Sequence, residues 1–271
     1  MSITGFGQDG PRAQTAGHDI NYIGYGGVLG MTGPEGGPPV LPGVQIGDLA
    51  GGGMSAVISI LSALHKRAVT GEGSFCDVSM LDGVVSWLTL HAAEFIGAGE
   101  LPGRGAMRLS GGCPCYRVYS TADGWLSVGA LEPQFWHRLC DVLGRPDLVD
   151  DAFAVGERRD EVIAVLEETF SARTRAEWLD LFNGLDVCVA PVNDLSETFT
   201  DEHVRSRRMV FDHPVAGVGD WTHLGDPIKI DGSSAAIRLP PPQLGEHTDQ
   251  VLESAGLSAD EIATLHADGV V

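Results

Sequence analysis

Positively charged side chains are scarce in this sequence. Its 271 residues include 17 Lys and Arg against 37 Asp and Glu, which gives a formal net charge of −20 near neutral pH. Nucleic acids and anionic membrane surfaces attract basic proteins, so we expect neither as a partner. A phosphate-rich ligand would need a local basic site, and Arg12 is the only Lys or Arg before Lys66.

Cysteine is also scarce, with five residues in the whole chain. A small, odd number of cysteines in a chain of this length is not typical of a disulfide framework, so we expect reduced thiols. Cys113 and Cys115 flank a proline, but a zinc site needs a second pair at ligand spacing, which the sequence lacks. We therefore predict that Cys113 and Cys115 are structural or incidental thiols and that they bind no metal.

The sequence has no uninterrupted apolar run of about 18 residues, from which we predict no membrane span. Residues 1–7 contain neither a basic nor an apolar segment, so we expect no signal peptide and a cytoplasmic location. Internal repeats and low-complexity tracts are absent. The glycines at 5–7 and 51–53 lack the spacing and the strand–helix context of a dinucleotide-binding loop.

The remaining composition, with 43% hydrophobic and 20% charged residues, is typical of a globular protein with one large or two modest domains. The glycines and prolines of residues 1–47 indicate turns, with at most one short helix within 17–30. The small and apolar residues of 49–67 predict a buried helix with Asp48 as its N-cap. We predict a strand at 74–79, a second long helix at 80–96 and a connector at 97–115.

The second half of the chain predicts a smaller α+β domain. Strands at 116–119 and 125–128 flank an Ala-Asp-Gly turn, as in a hairpin. Helices are expected at 133–143, 159–170 and 175–185, strand-like pieces near 210–230 and a final helix at 246–255. We divide the chain into 1–105 as part of a large α/β domain, 106–222 as the small domain, and 223–271 as a return to the large one.

Two residues 30 positions apart are candidates for proton-transfer chemistry. His18 titrates near neutral pH, and burial can raise the pKa of a carboxylate such as Asp48 toward the same range. One histidine and one carboxylate on opposite faces of a carbon acid can exchange its proton. Glycines after Asp48 would let a ligand approach helix N-terminal amides, which can hold an oxyanion. The alternative is a helix cap and a loop histidine, and cap Asp residues are common.

Short motifs distributed over the whole chain resemble the class III (CaiB/BaiF) CoA-transferase family, and more closely its α-methylacyl-CoA racemase branch. In the first half they are SITGFGQ at 2–8, GHDINY at 17–22, GDLAGGGM at 47–54 and DVSM at 77–80. In the second half they are ADG at 122–124, VGALEPQFW at 128–136, APV at 190–192 and LGEHT at 244–248. Their order and number argue against a chance similarity.

The resemblance implies specific roles. The catalytic pair of the racemases corresponds to His18 and Asp48, and a glutamate that supports the histidine is similar to Glu132. The transferases of the family keep the aspartate, as a nucleophile that forms an acyl anhydride, and lack the histidine. Residues expected at the thioester end of the substrate are Gly17, Asp19, Ile20, Asn21, Tyr22 and Gly47.

The resemblance also implies a fold and a reaction. The expected fold class is α/β, a partial Rossmann-like large domain plus a small α+β domain, in an interlocked homodimer. Family members carry on the order of a hundred further N-terminal residues, about half a domain, which supply most basic contacts to CoA. We expect an acyl-CoA substrate, racemised at C2 of a 2-methylacyl group without any cofactor. The alternatives are CoA transfer through Asp48 and an inactive fragment.

Overall fold

The computed structural model of the protein describes residues 1–215, 219–232, 237, 239 and 241–271. Contacts divide the chain into two compact units, Met1–Val192 and Asn193–Val271. Every residue of the predicted site lies in the first unit. The three-part domain division made from the sequence stays a prediction.

The first unit begins with a parallel pair of short strands. Strand β1 (Ser2–Thr4) pairs with β2 (Asp77–Ser79), in register from Ser2 opposite Asp77 to Thr4 opposite Ser79. Parallel strands need a long crossover, and here it is helical. The crossover contains helices α1 (Asp19–Tyr25) and α2 (Val28–Met31), a π-helix (Ile46–Met54) and α3 (Ser55–Thr70).

Two helix predictions for this part need correction. Residues 17–30 form two short helices because Gly27 takes a left-handed conformation, with φ of 83°, between them. The long helix expected at 80–96 is broken into α4 (Met80–Ser86) and α5 (Thr89–Ala98). At the break, the amides of Trp87 and Leu88 bond to carbonyls three residues back, which tightens the chain out of the α-helical pattern.

The apolar segment after residue 45 is helical, as predicted, but it is not buried. Val57, Ile58 and Leu61 are 51%, 63% and 61% exposed. By length and composition, Ile46–Thr70 also qualifies as a membrane-spanning helix, with 22% of its most apolar window buried. The sequence has no uninterrupted apolar run of that length, but this segment qualifies by the mean hydropathy of its window. One such helix is weak evidence for a span, and the lack of a membrane partner stays a prediction.

The later part of the first unit contains an antiparallel sheet flanked by helices. Its strands are β3 (Tyr116–Ser120), β4 (Trp125–Gly129) and β5 (Val189–Pro191), with β4 in the middle. The predicted hairpin is confirmed, with Ser120 opposite Trp125 across the turn. The helices are α6 (Pro133–Leu143), a 3-10 turn (Pro146–Leu148), α7 (Gly156–Ser171) and α8 (Arg175–Phe182).

The main hydrophobic core lies between this sheet and helices α6 to α8. Tyr119 stacks on Phe170, and Trp178 meets Phe170 edge-on. Trp136 is buried, and its indole N–H donates to the carbonyl of Leu148 at 2.9 Å. A buried indole needs such an acceptor, so this bond fixes the 3-10 turn against α6.

The second unit consists of four helices and a two-stranded antiparallel sheet within its described residues. The helices are α9 (Leu195–Thr200), α10 (Glu202–Ser206), α11 (Thr248–Ser254) and α12 (Ala259–Ala267), and the strands are β6 (Val210–Val215) and β7 (Gly219–Leu224). The predicted final helix at 246–255 corresponds to α11. Helix α12, whose N-cap Ser258 accepts from the amide of Glu261, was not predicted.

Candidate active site

The segment that contains His18 is held in place by its own following residues. His18 precedes α1, and its amide donates to Oδ1 of Asn21 at 3.0 Å. The hydroxyl of Tyr22 donates to the carbonyl of Gly17 at 2.5 Å. The Tyr22 ring is buried and meets Phe6 edge-on, with 5.2 Å between centroids. The backbone on both sides of His18 is therefore anchored, while the residue itself remains exposed.

Asp19 connects this segment to the one that contains Asp48. Its Oδ1 accepts hydrogen bonds from the amide of Gly47 at 2.6 Å and from the amide of Asp48 at 3.1 Å. These amides belong to the first turn of the π-helix, where backbone donors have no partner within the helix. A carboxylate at that position is also favoured by the helix dipole. Asp19 thus caps the π-helix from 28 residues away.

Asp48 is not the N-cap that the sequence predicted. The cap residue is Gln45, and Asp48 lies in the first turn, with its side chain exposed. The reason is that Asp19 satisfies the amides that a local cap would otherwise satisfy. The amides of Gly47 and Asp48 are consequently occupied, so these two donors are not free to hold an oxyanion.

Glycines allow the π-helix to pack directly on the backbone of α4. A Cβ on Gly51 would lie 2.7 Å from the carbonyl oxygen of Met80, and one on Gly83 would lie 2.3 Å from the carbonyl oxygen of Gly51. Both contacts are with backbone, which cannot move aside as a side chain can. Only glycine fits at these two positions, and the close approach fixes the π-helix against α4. π-helices are rare and frequently mark functional sites.

His18 and Asp48 line one cleft of about 280 Å³. The remaining lining residues come from the same two segments and from the loop before the π-helix: Asp19, Ile20, Leu41, Pro42 and Gln45. Typical ligand pockets measure about 300 to 1,000 Å³, so the cleft has room for the reacting end of a ligand but not for a whole cofactor-sized molecule. An imidazole and a carboxylate at one opening can exchange protons with a bound carbon acid.

The electrostatics of the site are dominated by its two carboxylates. The pKa of Tyr22 is raised, first by burial and then by the negative charges of Asp48 and Asp19. The phenol therefore remains protonated well above neutral pH and keeps donating to the carbonyl of Gly17. The charged or titratable side chains that line the cleft are those of His18, Asp19 and Asp48.

Comparisons with known proteins agree with this architecture. Residues 1–248 match the sequence profile of CoA-transferase family III. The chain belongs to CoA-transferase family III. This assignment establishes an enzyme family that handles acyl-CoA thioesters, and it confirms the family resemblance seen in the sequence.

Relatives within CoA-transferase family III include two kinds of enzyme at similar distance. Alpha-methylacyl-CoA racemase from Homo sapiens is 34% identical over 272 residues, covering 99% of this chain and 70% of the relative. Succinyl-CoA:glutarate CoA-transferase from Mus musculus is 34% identical over 277 residues, covering 100% of this chain and 63% of the relative. Overall identity therefore does not separate racemase from transferase.

Similar solved structures confirm the fold class. A CAIB/BAIF family protein from Brucella suis superposes with a TM-score of 0.76 at 28% identity, covering 93% of this chain and 66% of the other. A hypothetical protein from Mycobacterium tuberculosis superposes with a TM-score of 0.70 at 26% identity, covering 92% and 66%. The chain spans about two thirds of the length of the family III proteins it matches.

The structure places the predicted site residues of this family III chain in two groups. His18, Asp19, Ile20 and Asp48 line the cleft. Four more of the predicted residues do not line it and instead support it: Gly17, Asn21, Tyr22 and Gly47. Their contact with substrate stays a prediction, and their role in the structure is to hold the backbone of the cleft.

Glu132 lies outside this cleft. It is exposed at the N-cap of α6, and no hydrogen bond or ion pair joins it to His18 among the described residues. Its charge is instead felt at Cys188, whose pKa is raised first by burial and then by Glu132 and Asp186. Cys188 lines a larger cavity, of about 740 Å³, which contains neither member of the His–Asp pair. Support of His18 by Glu132 stays a prediction.

Three cleft residues were not predicted from the sequence. Leu41, Pro42 and Gln45 come from the glycine- and proline-rich loop before the π-helix. A loop that precedes a helix has no periodic sequence pattern. Its position just before Asp48 in the sequence was the one signal that could have identified these residues. In the parts of the chain that the structure describes, no group of three or more His, Cys, Asp or Glu has the arrangement of a metal site.

Proposed function

We propose that this chain interconverts (2R)- and (2S)-2-methylacyl-CoA thioesters by 1,1-proton transfer. The observation that carries the proposal is the meeting of His18 and Asp48 in one cleft, on two segments that Asp19 ties together. An imidazole titrates near neutral pH, and burial can bring the pKa of a carboxylate toward the same range. Because the chain spans only part of its relatives, the activity of the whole enzyme is itself part of the proposal.

The reaction needs one group as base and the other as acid. In one direction the neutral imidazole of His18 removes the α-proton, which gives an enolate, and the protonated carboxyl of Asp48 returns a proton to the opposite face. In the other direction the roles exchange. The proposal requires no metal and no redox cofactor, because both protons move between side chains and carbon.

The enolate oxygen must be stabilised by donors other than the first amides of the π-helix. The amides of Gly47 and Asp48 already donate to Asp19, and that carboxylate adds negative charge close to the cleft. Hydrogen bonds to a developing oxyanion commonly lower the barrier of such reactions more than any other interaction, by about 3 to 4 kcal/mol per donor. The thioester oxygen is therefore expected to point away from the start of the π-helix.

Stereochemical inversion tests the proposal. Enantiopure (2R)-2-methylacyl-CoA is incubated with the purified chain, and the acid released by hydrolysis is resolved by chiral chromatography. We expect an approach to a nearly equal mixture with the wild type, and loss of at least about a hundredfold in rate with His18→Asn or Asp48→Asn. His65→Asn is the matched control, because His65 is exposed and lies outside the cleft.

The second candidate is CoA transfer between carboxylic acids. It is favoured by the exposure of the Asp48 carboxylate and by transferase relatives at an identity similar to that of the racemases, among them a succinyl-CoA:mesaconate CoA-transferase from Haloarcula marismortui at 32% identity over 264 residues. In this chemistry Asp48 attacks the thioester carbonyl and expels CoA thiolate, leaving a mixed anhydride.

Trapping the anhydride separates the two candidates. Transferase chemistry predicts that hydroxylamine converts Asp48 to a hydroxamate only in the presence of acyl-CoA, and that His18→Asn retains activity. Racemase chemistry predicts an unmodified Asp48 and an inactive His18→Asn variant. A homodimer and a cytoplasmic location are part of the same proposal, and sedimentation and cell fractionation test them.

A further inference from the structure

We propose that Cys113 and Cys115 form a redox-sensitive dithiol, which hydrogen peroxide converts reversibly into an intrachain disulfide. The two residues lie in the turn that leads into β3, outside the His–Asp cleft. Both are buried, at 5% and 0% exposure. The proposal is independent of the racemase proposal, since it concerns thiols that the proton transfer does not use.

The geometry brings the two sulfurs together. Their Sγ atoms are 3.9 Å apart, and the thiol of Cys115 donates toward the sulfur of Cys113. A disulfide bond is about 2.0 Å long, so the sulfurs must approach by about 2 Å. The backbone of Cys115 is fixed on both sides, because its amide donates to Ala152 and its carbonyl accepts from Ala130. Cys113 is held too, because its carbonyl accepts from the amide of Tyr116 and its thiol donates to the carbonyl of Arg108 at 3.0 Å. Closing the disulfide must therefore break the thiol–carbonyl bond of Cys113.

A small oxidant has access to one sulfur of the pair. Cys113 lines a cavity of about 420 Å³ together with Arg108 and Phe153, whereas Cys115 does not line it. The guanidinium of Arg108 lies over the Phe153 ring, 4.1 Å from its centroid. The cavity thus presents a positive charge next to the accessible thiol, an environment typical of reactive cysteines.

The protonation states give the two thiols different roles. The hydrogen bond from Cys115 is the largest influence on Cys113 and lowers its pKa to about 7, with the charge of Arg108 acting in the same direction. The same hydrogen bond is the largest influence on Cys115 and raises its pKa. Cys113 is therefore the thiol that ionises more readily, and on ionising it gives up the hydrogen bond that it donates to the carbonyl of Arg108 at 3.0 Å. Its thiolate is the attacking group, and Cys115 is the thiol that resolves.

The step balances with the peroxide as the two-electron oxidant. The Cys113 thiolate attacks one peroxide oxygen, which breaks the O–O bond and leaves a sulfenic acid and hydroxide. The sulfur of Cys115 then attacks the sulfenic sulfur, the S–S bond forms, and water leaves with the thiol proton. Overall two thiols are oxidised and one peroxide is reduced to two waters. An external dithiol reverses the reaction by exchange.

Peptide mapping of the wild-type chain tests the proposal without any variant. The reduced protein is treated with increasing concentrations of hydrogen peroxide at neutral pH, and the remaining thiols are blocked with iodoacetamide. The mass of the peptide that contains both cysteines is then measured by mass spectrometry. We expect it to be about 2 Da lighter and unalkylated at peroxide concentrations that leave Cys188 alkylated, and dithiothreitol should restore alkylation. Cys140 is the internal control, since it is buried with its pKa raised to about 12.

Two results would overturn the proposal. One is full alkylation of Cys113 and Cys115 at peroxide concentrations that already oxidise Cys188. The other is sulfinic acid at Cys113 with Cys115 still free, since the resolving thiol would then have failed. Cys115→Ser adds a positive test: dimedone should label Cys113 as a sulfenic acid in this variant and not in the wild type.

Discussion

Removing the Asp19 carboxylate should loosen the start of the π-helix. Its Oδ1 accepts from the amides of Gly47 and Asp48 at 2.6 and 3.1 Å, and a hydrogen bond to a charged group contributes about 1.5 to 3 kcal/mol against about 1 kcal/mol for a neutral one. Asp19→Asn keeps a carbonyl oxygen and should cost about 1 to 1.5 kcal/mol. Asp19→Ala leaves both amides without their acceptor and should cost about 2 to 3 kcal/mol.

Amide hydrogen exchange measures this effect at the two bonds themselves. Local opening of the first turn governs exchange at Gly47 and Asp48, and each 1.4 kcal/mol changes the opening equilibrium tenfold. We expect the protection of both amides to fall about tenfold in Asp19→Asn and about 30- to 150-fold in Asp19→Ala. A local measurement suits this chain because two compact units need not unfold in one step.

The matched control is Asp9→Asn, since Asp9 is exposed and its side chain makes no hydrogen bond among the described residues. It should leave the protection of both amides unchanged. The reasoning is refuted if Gly47 and Asp48 exchange equally fast in the wild type and in Asp19→Ala. That result would mean that another group, and not Asp19, holds the start of the π-helix.

Three further predictions follow from packing and protonation. Gly83→Ala should lower the free energy of unfolding of the first unit by about 1 to 3 kcal/mol in chemical denaturation, because its Cβ would lie 2.3 Å from the Gly51 carbonyl oxygen. Gly97→Ala, with open space around it, should raise the free energy of unfolding by up to about 1 kcal/mol. Equal effects of the two substitutions would contradict the close packing at Gly83. Tyr22→Phe removes a hydroxyl that donates at 2.5 Å to the loop backbone and should cost about 0.5 to 1.5 kcal/mol, and no change in the melt would rule that bond out as a contributor. Burial raises the pKa of Cys140 to about 12, so on raising the pH the unfolded chain loses this proton before the folded chain does. The free energy of unfolding should therefore fall as the pH rises from about 9 to 12, and it should fall less steeply in Cys140→Ala.

Local signals in the sequence predicted the later part of the first unit well. Helix α6 has the predicted bounds, with Pro133 in its first turn and Gly144 in a left-handed conformation after its end. The hairpin of β3 and β4 forms around the predicted turn. These elements depend on residues adjacent in sequence, where propensity and capping chemistry act directly.

Elements that depend on distant partners were predicted less well. The cap of the π-helix is Asp19, 28 residues earlier than Gly47, and no local rule distinguishes such a cap from Asp48 itself. The π-helical hydrogen bonding also has no sequence signal of its own. It accompanies the backbone contact between Gly51 and α4, which becomes visible only when both helices are placed.

The candidate site was predicted in part. Resemblance to the family, and not spacing, singled out His18 and Asp48, and the structure places both at one cleft. Asp19 was expected to contact substrate, and its main observed contacts are with the backbone that holds Asp48. Glu132, which was expected to support His18, lies at the start of α6, near Cys188, and that supporting role stays a prediction.

Exchange of the α-proton tests the central claim most directly. The chain is incubated with a 2-methylacyl-CoA in D₂O, and the α-proton signal is followed by NMR beside His18→Asn, Asp48→Asn and the His65→Asn control. The proposal predicts wash-out with the wild type and the control, and none with the two cleft variants. Wash-out that persists in Asp48→Asn and His18→Asn, or its absence from a cooperatively folded wild type, would contradict the assignment of this cleft as a racemase site.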